Sequence, residues 1–247
     1  MLVTLEDFRK GARTSAAAVT QLVLFGNLVD MMKIEKQRDF RTSYRTIFSK
    51  YSKEGIIRAN RHGIIPGAIM YGVRGMVYGT SFITLERYFN ATTHLESCGV
   101  SALAGFTEGC VSAPLALMRV RISENVTQKT KPSFSVLQTL RTSPLNGLKR
   151  GSDWGLRTFL VQKYLDVGFN EVPAAFAAGV TASIISMPID RLIPLVQQKN
   201  PPKNLIRWIM SQSPRSLFAG SAMRLLNSGM NSLYVMTAMK FVYISKY

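Results

Sequence analysis

Met187-Pro188-Ile189-Asp190-Arg191-Leu192-Ile193, with Gln197 beyond it, places a proline, an acid and a base inside an otherwise apolar stretch. Related stretches lie upstream. One is Leu28-Val29-Asp30-Met31-Met32-Lys33 with Gln37, and the other is Pro114-Leu115-Ala116-Leu117-Met118-Arg119. Three copies of one pattern imply three related units, since self-similarity along a chain marks a repeat architecture. Spacing supports this reading. From the acid position to a glycine opening the next apolar stretch the interval is 33 residues (Asp30 to Gly63), 35 (Ala116 to Gly151) and 30 (Asp190 to Gly220). These agree to within about one or two helical turns.

The chain has 247 residues, 47% of them hydrophobic, and a net charge of +17. That balance fits a basic membrane protein, a peripheral membrane protein, or a ribosomal or other nucleic-acid binder. The basic residues are spread between apolar stretches rather than gathered in blocks and tails, which disfavours nucleic acid as a partner. Cys98 and Cys110 lie twelve apart and form no ligand pattern, and His62 and His94 have no His or Cys at metal spacing. No nucleophile with a base, no paired carboxylates and no phosphate-cradling Gly-Lys loop stand out, so neither catalysis nor a cofactor is expected. Residues 1–13 lack the pattern of a secretory signal, and Glu6 and Asp7 oppose a transit peptide.

Six apolar stretches suit membrane spans, at about 14–37, 64–90, 97–122, 152–170, 172–197 and 218–243. Gln21, Asn27 and Asp30 in the first should face a bundle interior or a wet cavity, not lipid. Gly67, Gly72, Gly75 and Gly79 in the second suggest tight packing, and Gly105 and Gly109 in the third form a small-xxx-small face. The fourth is the least apolar, interrupted by Asp153, Arg157, Lys163 and Asp166. Amphipathic stretches separate each odd span from the next even one. They carry Phe40, Tyr44, Ile47, Phe48 and Tyr51, then Phe134, Val136, Leu137 and Leu140, then Leu205, Ile206, Trp208 and Ile209. Glu54-Gly55 and Asn146-Gly147 read as helix stops.

On these residues the chain resembles the mitochondrial carrier family. That family's signature is Pro-x-acid-x-x-base with a later glutamine, repeated three times at the ends of odd-numbered helices. The resemblance covers nearly the whole chain. It implies an all-α membrane protein of the mitochondrial inner membrane. Its six transmembrane helices would form three pseudo-threefold repeats, 1–95, 96–171 and 172–247, with short amphipathic helices on the matrix side. Arg61-His62-Gly63, Lys149-Arg150-Gly151 and Leu217-Phe218-Ala219-Gly220 are similar to the family's segments that open even helices. The resemblance implies that Gly63, Gly151 and Gly220 place helix N-termini on cardiolipin phosphates, which is ordinary anion binding at a helix start. It makes Pro114 and Pro188 helix kinks, with Gly26 supplying the bend where Leu28 replaces proline.

The resemblance further implies a matrix-side gate of salt bridges, Asp30 with Arg119 and Asp190 with Lys33, with Gln37 and Gln197 as its glutamines. The third pair would be Ala116 with Ile193, and both are apolar. Losing one partner of a buried pair costs about 3–5 kcal/mol, whereas replacing both with apolar groups is often neutral. The joint loss therefore argues that residues 116 and 193 meet in space. A second network at the opposite end is nearly gone: Glu86 keeps an acid, but Phe89 stands where its base would be.

The family's substrate contacts lie halfway along the even helices, where the candidates are Arg74, Arg157 or Thr158, and Arg224 or Asn227. Arginines in a cavity favour carboxylate or phosphate through forked hydrogen bonds, although such arginines also fit snorkelling to headgroups. Gln21 and Glu108 are further cavity candidates, with bundle hydrogen bonds as the plainer role. The expected function is movement of a small anionic metabolite by alternating access, with the bilayer and cardiolipin as partners. The alternative is a carrier-derived accessory subunit of a respiratory-chain or other inner-membrane complex, without transport activity.

Overall fold

The computed structural model describes residues 4–38, 41–54, 64–128, 136–196 and 220–244, with isolated positions at 207, 211, 213 and 218. All regular elements among the described residues are helices. The first rod is α1 (Leu5–Gln21), a π turn at Leu22–Gly26, and α2 (Asn27–Arg38). It begins earlier than the expected span because Thr4 and Asp7 form a reciprocal capping box, which satisfies backbone donors at the helix start. The widened π turn ends at Gly26.

Helix α3 (Tyr44–Glu54) is short and amphipathic. Ile47 and Tyr51 bury against Met31 and Met32 of α2, and Phe48 remains exposed. Four long rods follow: α4 (Ile64–Phe89), α5 (His94–Gln128), α6 (Val136–Asp166) and α7 (Glu171–Val196). The last is α8 (Ser221–Ile244). The third amphipathic stretch, Gly63 and Gln197 lie outside the described residues.

The expected stop at Asn146-Gly147 is not there. Helix α6 runs unbroken through both residues and through Pro144. The Asn146 side-chain amide donates to the Thr142 carbonyl at 3.0 Å within the helix. Gly147 serves packing instead: a Cβ there would lie 2.6 Å from Cys110 Sγ of α5.

The first rod packs on α4, α4 on α5, α5 on α6, α6 on α7, α7 on α8, and α8 back on α1, so six rods close into a ring. Neighbours run antiparallel, as the glycine contacts of α1 with α4 show. Gly11 faces Thr80, Gly75 faces Ser15 and Gly67 faces Leu22. A Cβ on Gly75 would sit 2.5 Å from Ser15 Cα, so only glycine lets these backbones approach. The reversal before α8 needs glycine for another reason, since Gly220 has φ +86°.

The polarity of the ring is inverted relative to a water-soluble bundle. Ile65, Ile69, Leu103, Phe106, Val111, Ile184, Ile185 and Leu226 are exposed, while Asp30, Glu108, Arg119, Asp153, Asp190 and Arg224 are buried. Charged side chains are seldom buried in soluble proteins, and inside a membrane they turn to the bundle interior. His94–Arg121 of α5 and Glu171–Ile193 of α7 are long and apolar enough to cross a membrane. The arrangement is that of an all-α membrane protein.

Candidate functional site

Four side chains far apart in the chain converge inside the ring. Arg119 of α5 pairs with Asp30 of α2 at 2.7 Å, and Lys33 of α2 pairs with Asp190 of α7 at 3.1 Å. Gln37 donates to Asp190 Oδ2 at 3.0 Å. Asp30 also accepts from the Tyr71 hydroxyl at 2.7 Å and from the Asn227 amide at 2.6 Å, and Arg119 donates to Asn27 at 2.8 Å. Ala116 and Ile193 are buried and line the same space as Asp30, Lys33, Arg119 and Asp190. The two apolar positions thus sit in one space with the two ion pairs. Every acid here has more than one partner, which is the condition for keeping a buried charge.

A larger central cavity adjoins this cluster and encloses about 710 Å³ of empty space, part of it open to the exterior. Six cations line it (Lys33, Arg74, Lys149, Arg150, Arg157 and Arg224) against three carboxylates (Asp30, Glu108 and Asp153). Such an excess of positive charge attracts anions, and guanidinium groups recognise carboxylate or phosphate in a forked geometry.

The candidate contact residues divide. Arg74 lines both spaces, donating to Ser112 at 3.0 Å and lying 3.7 Å from Glu108. Arg157 lines the central cavity, donates to the Ser228 hydroxyl and lies 5.1 Å over the Trp154 ring. Thr158 turns to α5 instead and donates to Ser101 at 2.7 Å. Arg224 lines the cavity but pairs with Asp190 at 2.6 Å and with Asp153 at 3.1 Å. Asn227 accepts from Gln21 at 2.6 Å and, through its donation to Asp30, braces the ion-pair cluster.

Gly151 does not open a helix. It lies in the middle of α6, where a Cβ would come 2.8 Å from the Ala102 carbonyl of α5. The cardiolipin reading at that position is therefore corrected: no free amides exist there because the helix has already run since Val136. Gly220 does directly precede α8, packed against Lys33 and Gln37. Pro114 and Pro188 both lie inside uninterrupted helices.

Sequence reasoning missed the cluster on α6. Lys149 reaches Asp153 at 3.3 Å and Asp190 at 3.2 Å. Asp153 also accepts from the Ser186 hydroxyl. One turn away, Arg150 grips Glu108 with two hydrogen bonds at 2.8 and 2.9 Å, and Trp154 Nε1 donates to it at 2.7 Å. Trp154 stacks on Tyr78 at 4.0 Å. The available signal was the spacing of Lys149, Asp153 and Arg157, which puts all three on one helix face. Along the sequence Asp153 and Arg157 interrupt an apolar span, and although Arg157 also stands out as a cavity candidate, it is not linked there with Lys149 and Asp153 as one polar face turned inward.

At the far end of α1, Asp7 is buried and held by Arg87 of α4 at 2.7 and 3.1 Å. Burial opposes its ionisation, but hydrogen bonds from Thr4 and Arg87 outweigh that and hold the carboxyl below its ordinary range. Among the described residues no three metal-ligating side chains come together.

No family model matches the chain. Over 194 residues, 67% of its length, the chain is 28% identical to the mitochondrial thiamine pyrophosphate carrier 1 of Kluyveromyces lactis. The match spans 59% of that protein's own length. At this distance the chain is similar to a mitochondrial carrier, a transporter rather than an enzyme.

Proposed function

We propose that this protein is a divergent mitochondrial carrier of the inner membrane, built of three repeats at 1–95, 96–171 and 172–247. It moves a small anionic metabolite by alternating access through the central cavity. The observation that carries the reading is the lining of six cations against three carboxylates, placed beside two interhelical ion pairs at positions 30, 33, 119 and 190. Those pairs act as the gate on the matrix side, braced by Gln37. Parting them separates charges, so opening requires a ligand that favours the open state by at least that cost. Arg74 and Arg157 are the proposed substrate contacts. The carrier similar to this chain is named for thiamine pyrophosphate, and a phosphate-bearing organic anion suits the guanidinium lining here as well. Cardiolipin is the proposed lipid partner, at the start of α8.

The test is reconstitution into cardiolipin-containing liposomes loaded with one anion and presented with a labelled second. Saturable exchange of phosphate- or carboxylate-bearing solutes, with none of choline, is expected. Absence of exchange across such a panel, with the folded protein present in the vesicles, overturns the transport reading. Alkaline carbonate extraction of membranes should leave the protein in the pellet, and release into the supernatant would exclude an integral membrane protein.

A further inference from the structure

Four side chains from three rods share Asp190. Lys33 at 3.1 Å and Gln37 at 3.0 Å hold it from α2, Lys149 at 3.2 Å from α6, and Arg224 at 2.6 Å from α8. Only the contacts from α2 belong to the repeated pattern. Lys149 and Arg224 come from even-numbered rods, and each also holds Asp153, at 3.3 and 3.1 Å. Both cations line the central cavity, and Lys149 lines the ion-pair space too. Two carboxylates and two cations thus form a closed square joining α6, α7 and α8. It stands beside Ala116 and Ile193, where the third pair of the pattern is missing.

We infer that Lys149 replaces the missing third clasp, and that an anion entering the cavity opens the gate by drawing Lys149 and Arg224 away from Asp190. The inference rests on the transport reading and adds a residue and a trigger to it. Asp153 and Asp190 occupy these cations when the cavity is empty. A phosphate or carboxylate group offers the same ligand chemistry. Once Lys149 and Arg224 bind it, Asp190 keeps only its contacts to α2, and the ion pairs that join Asp190 of α7 to α6 and α8 are released. Such an exchange couples occupancy to opening because the same two cations serve both states, so ligand and closed gate compete for them. No bond is made or broken.

The test uses labelling by a membrane-impermeant thiol reagent and does not depend on transport. Cys98 and Cys110 are replaced by Ser, and Ile193→Cys supplies a buried reporter beside Asp190. In the full-length protein in proteoliposomes, adding inorganic pyrophosphate should raise the labelling rate saturably, by about fivefold or more, and tetraethylammonium should not. Lys149→Gln should label fast without any anion and respond little to pyrophosphate, and Lys149→Arg should restore the native behaviour. Thermal unfolding confirms that each variant is folded. Pyrophosphate-independent labelling in the Lys149 protein overturns the trigger, whether or not Lys149→Gln folds. Slow labelling of folded Lys149→Gln overturns the clasp. If liposomes exchange anions while these labelling results fail, the carrier reading stands and only this inference falls. Anion-driven labelling without any exchange would keep the clasp and remove transport.

Discussion

Restoring the missing pair of the pattern tests whether residues 116 and 193 face each other. The perturbation is Ala116→Asp, Ile193→Lys, and the two combined. The space that both line carries Lys33, Arg74, Arg119 and Lys149 against Asp30 and Asp190. A new acid at 116 enters a positive environment, whereas a new cation at 193 adds to the imbalance. An uncompensated buried charge costs about 3–5 kcal/mol, and Ile193→Lys should approach that range while Ala116→Asp costs less. At about 2–4 °C per kcal/mol for a chain of this size, Ile193→Lys should lower Tm by about 6–20 °C. If the two side chains meet, the double variant should recover a coupling of about 2 kcal/mol, or about 4–8 °C above the additive expectation. Thermal unfolding in detergent can be followed by a thiol-reactive fluorophore on Cys98 and Cys110, which are free and partly buried. Additive shifts would show that 116 and 193 are not neighbours. An Ala116→Asp drop as large as that of Ile193→Lys would refute the stated charge balance.

Three other outcomes are expected. Asp30→Lys sets two cations face to face where Arg119 now lies 2.7 Å from the carboxylate, and should cut liposome exchange by about 100-fold; adding Arg119→Asp should recover part of it, and no recovery refutes the pair. Gly75→Ala drives a methyl into Ser15 of α1, costing about 1–3 kcal/mol, while Gly99→Ala, which meets nothing within 4 Å, should leave Tm nearly unchanged; equal effects would refute the close approach. Because the folded Asp7 carboxyl titrates below its ordinary range, its stabilising contribution is complete above that range and is lost as pH falls through the lowered value. Amide protection in the first turn of α1, taken relative to the intrinsic exchange rate at each pH, should therefore fall on acidification below about pH 4 in the native protein, with little such dependence in Asp7→Asn.

The pairing of Asp30 with Arg119 and of Lys33 with Asp190 is legible through the resemblance to a repeated signature, and both pairs are present in the structure. What the residues themselves add is that Ala116 and Ile193 are apolar together, a joint loss that burial energetics favours between neighbours. Gly105 and Gly109 were also legible, since close backbone approach leaves no substitute for a missing side chain. What failed did so where one residue type serves two physical purposes. Gly147 reads as a helix stop because glycine terminates helices, but here it admits Cys110 of α5. Asp153 reads as a break in an apolar span, yet it is satisfied by Lys149, Arg224 and Ser186 on its own and neighbouring rods. Arg224 reads from spacing only as a candidate cavity arginine, because one helix cannot reveal that Asp190 and Asp153 of other rods are also within its reach. Asp7 speaks in the sequence only against a transit peptide, whereas in the fold it joins a helix cap to Arg87.

The inward placement of charge bears on how the chain is made. A lone Asp, Lys or Arg at the middle of an inserting helix costs about 2.5–3.5 kcal/mol. Asp30 meets its countercharge only after Arg119 has been synthesised, and Lys149 meets Asp190 later still. The described stretches long and apolar enough to cross a membrane are His94–Arg121 and Glu171–Ile193. If the rods insert into a bilayer, the earlier, more polar ones need shelter until these two stretches and their countercharges are in place. On the proposed reading as a membrane carrier, insertion is then a cooperative event, with α5 and α7 as the anchors around which the other helices enter the bilayer.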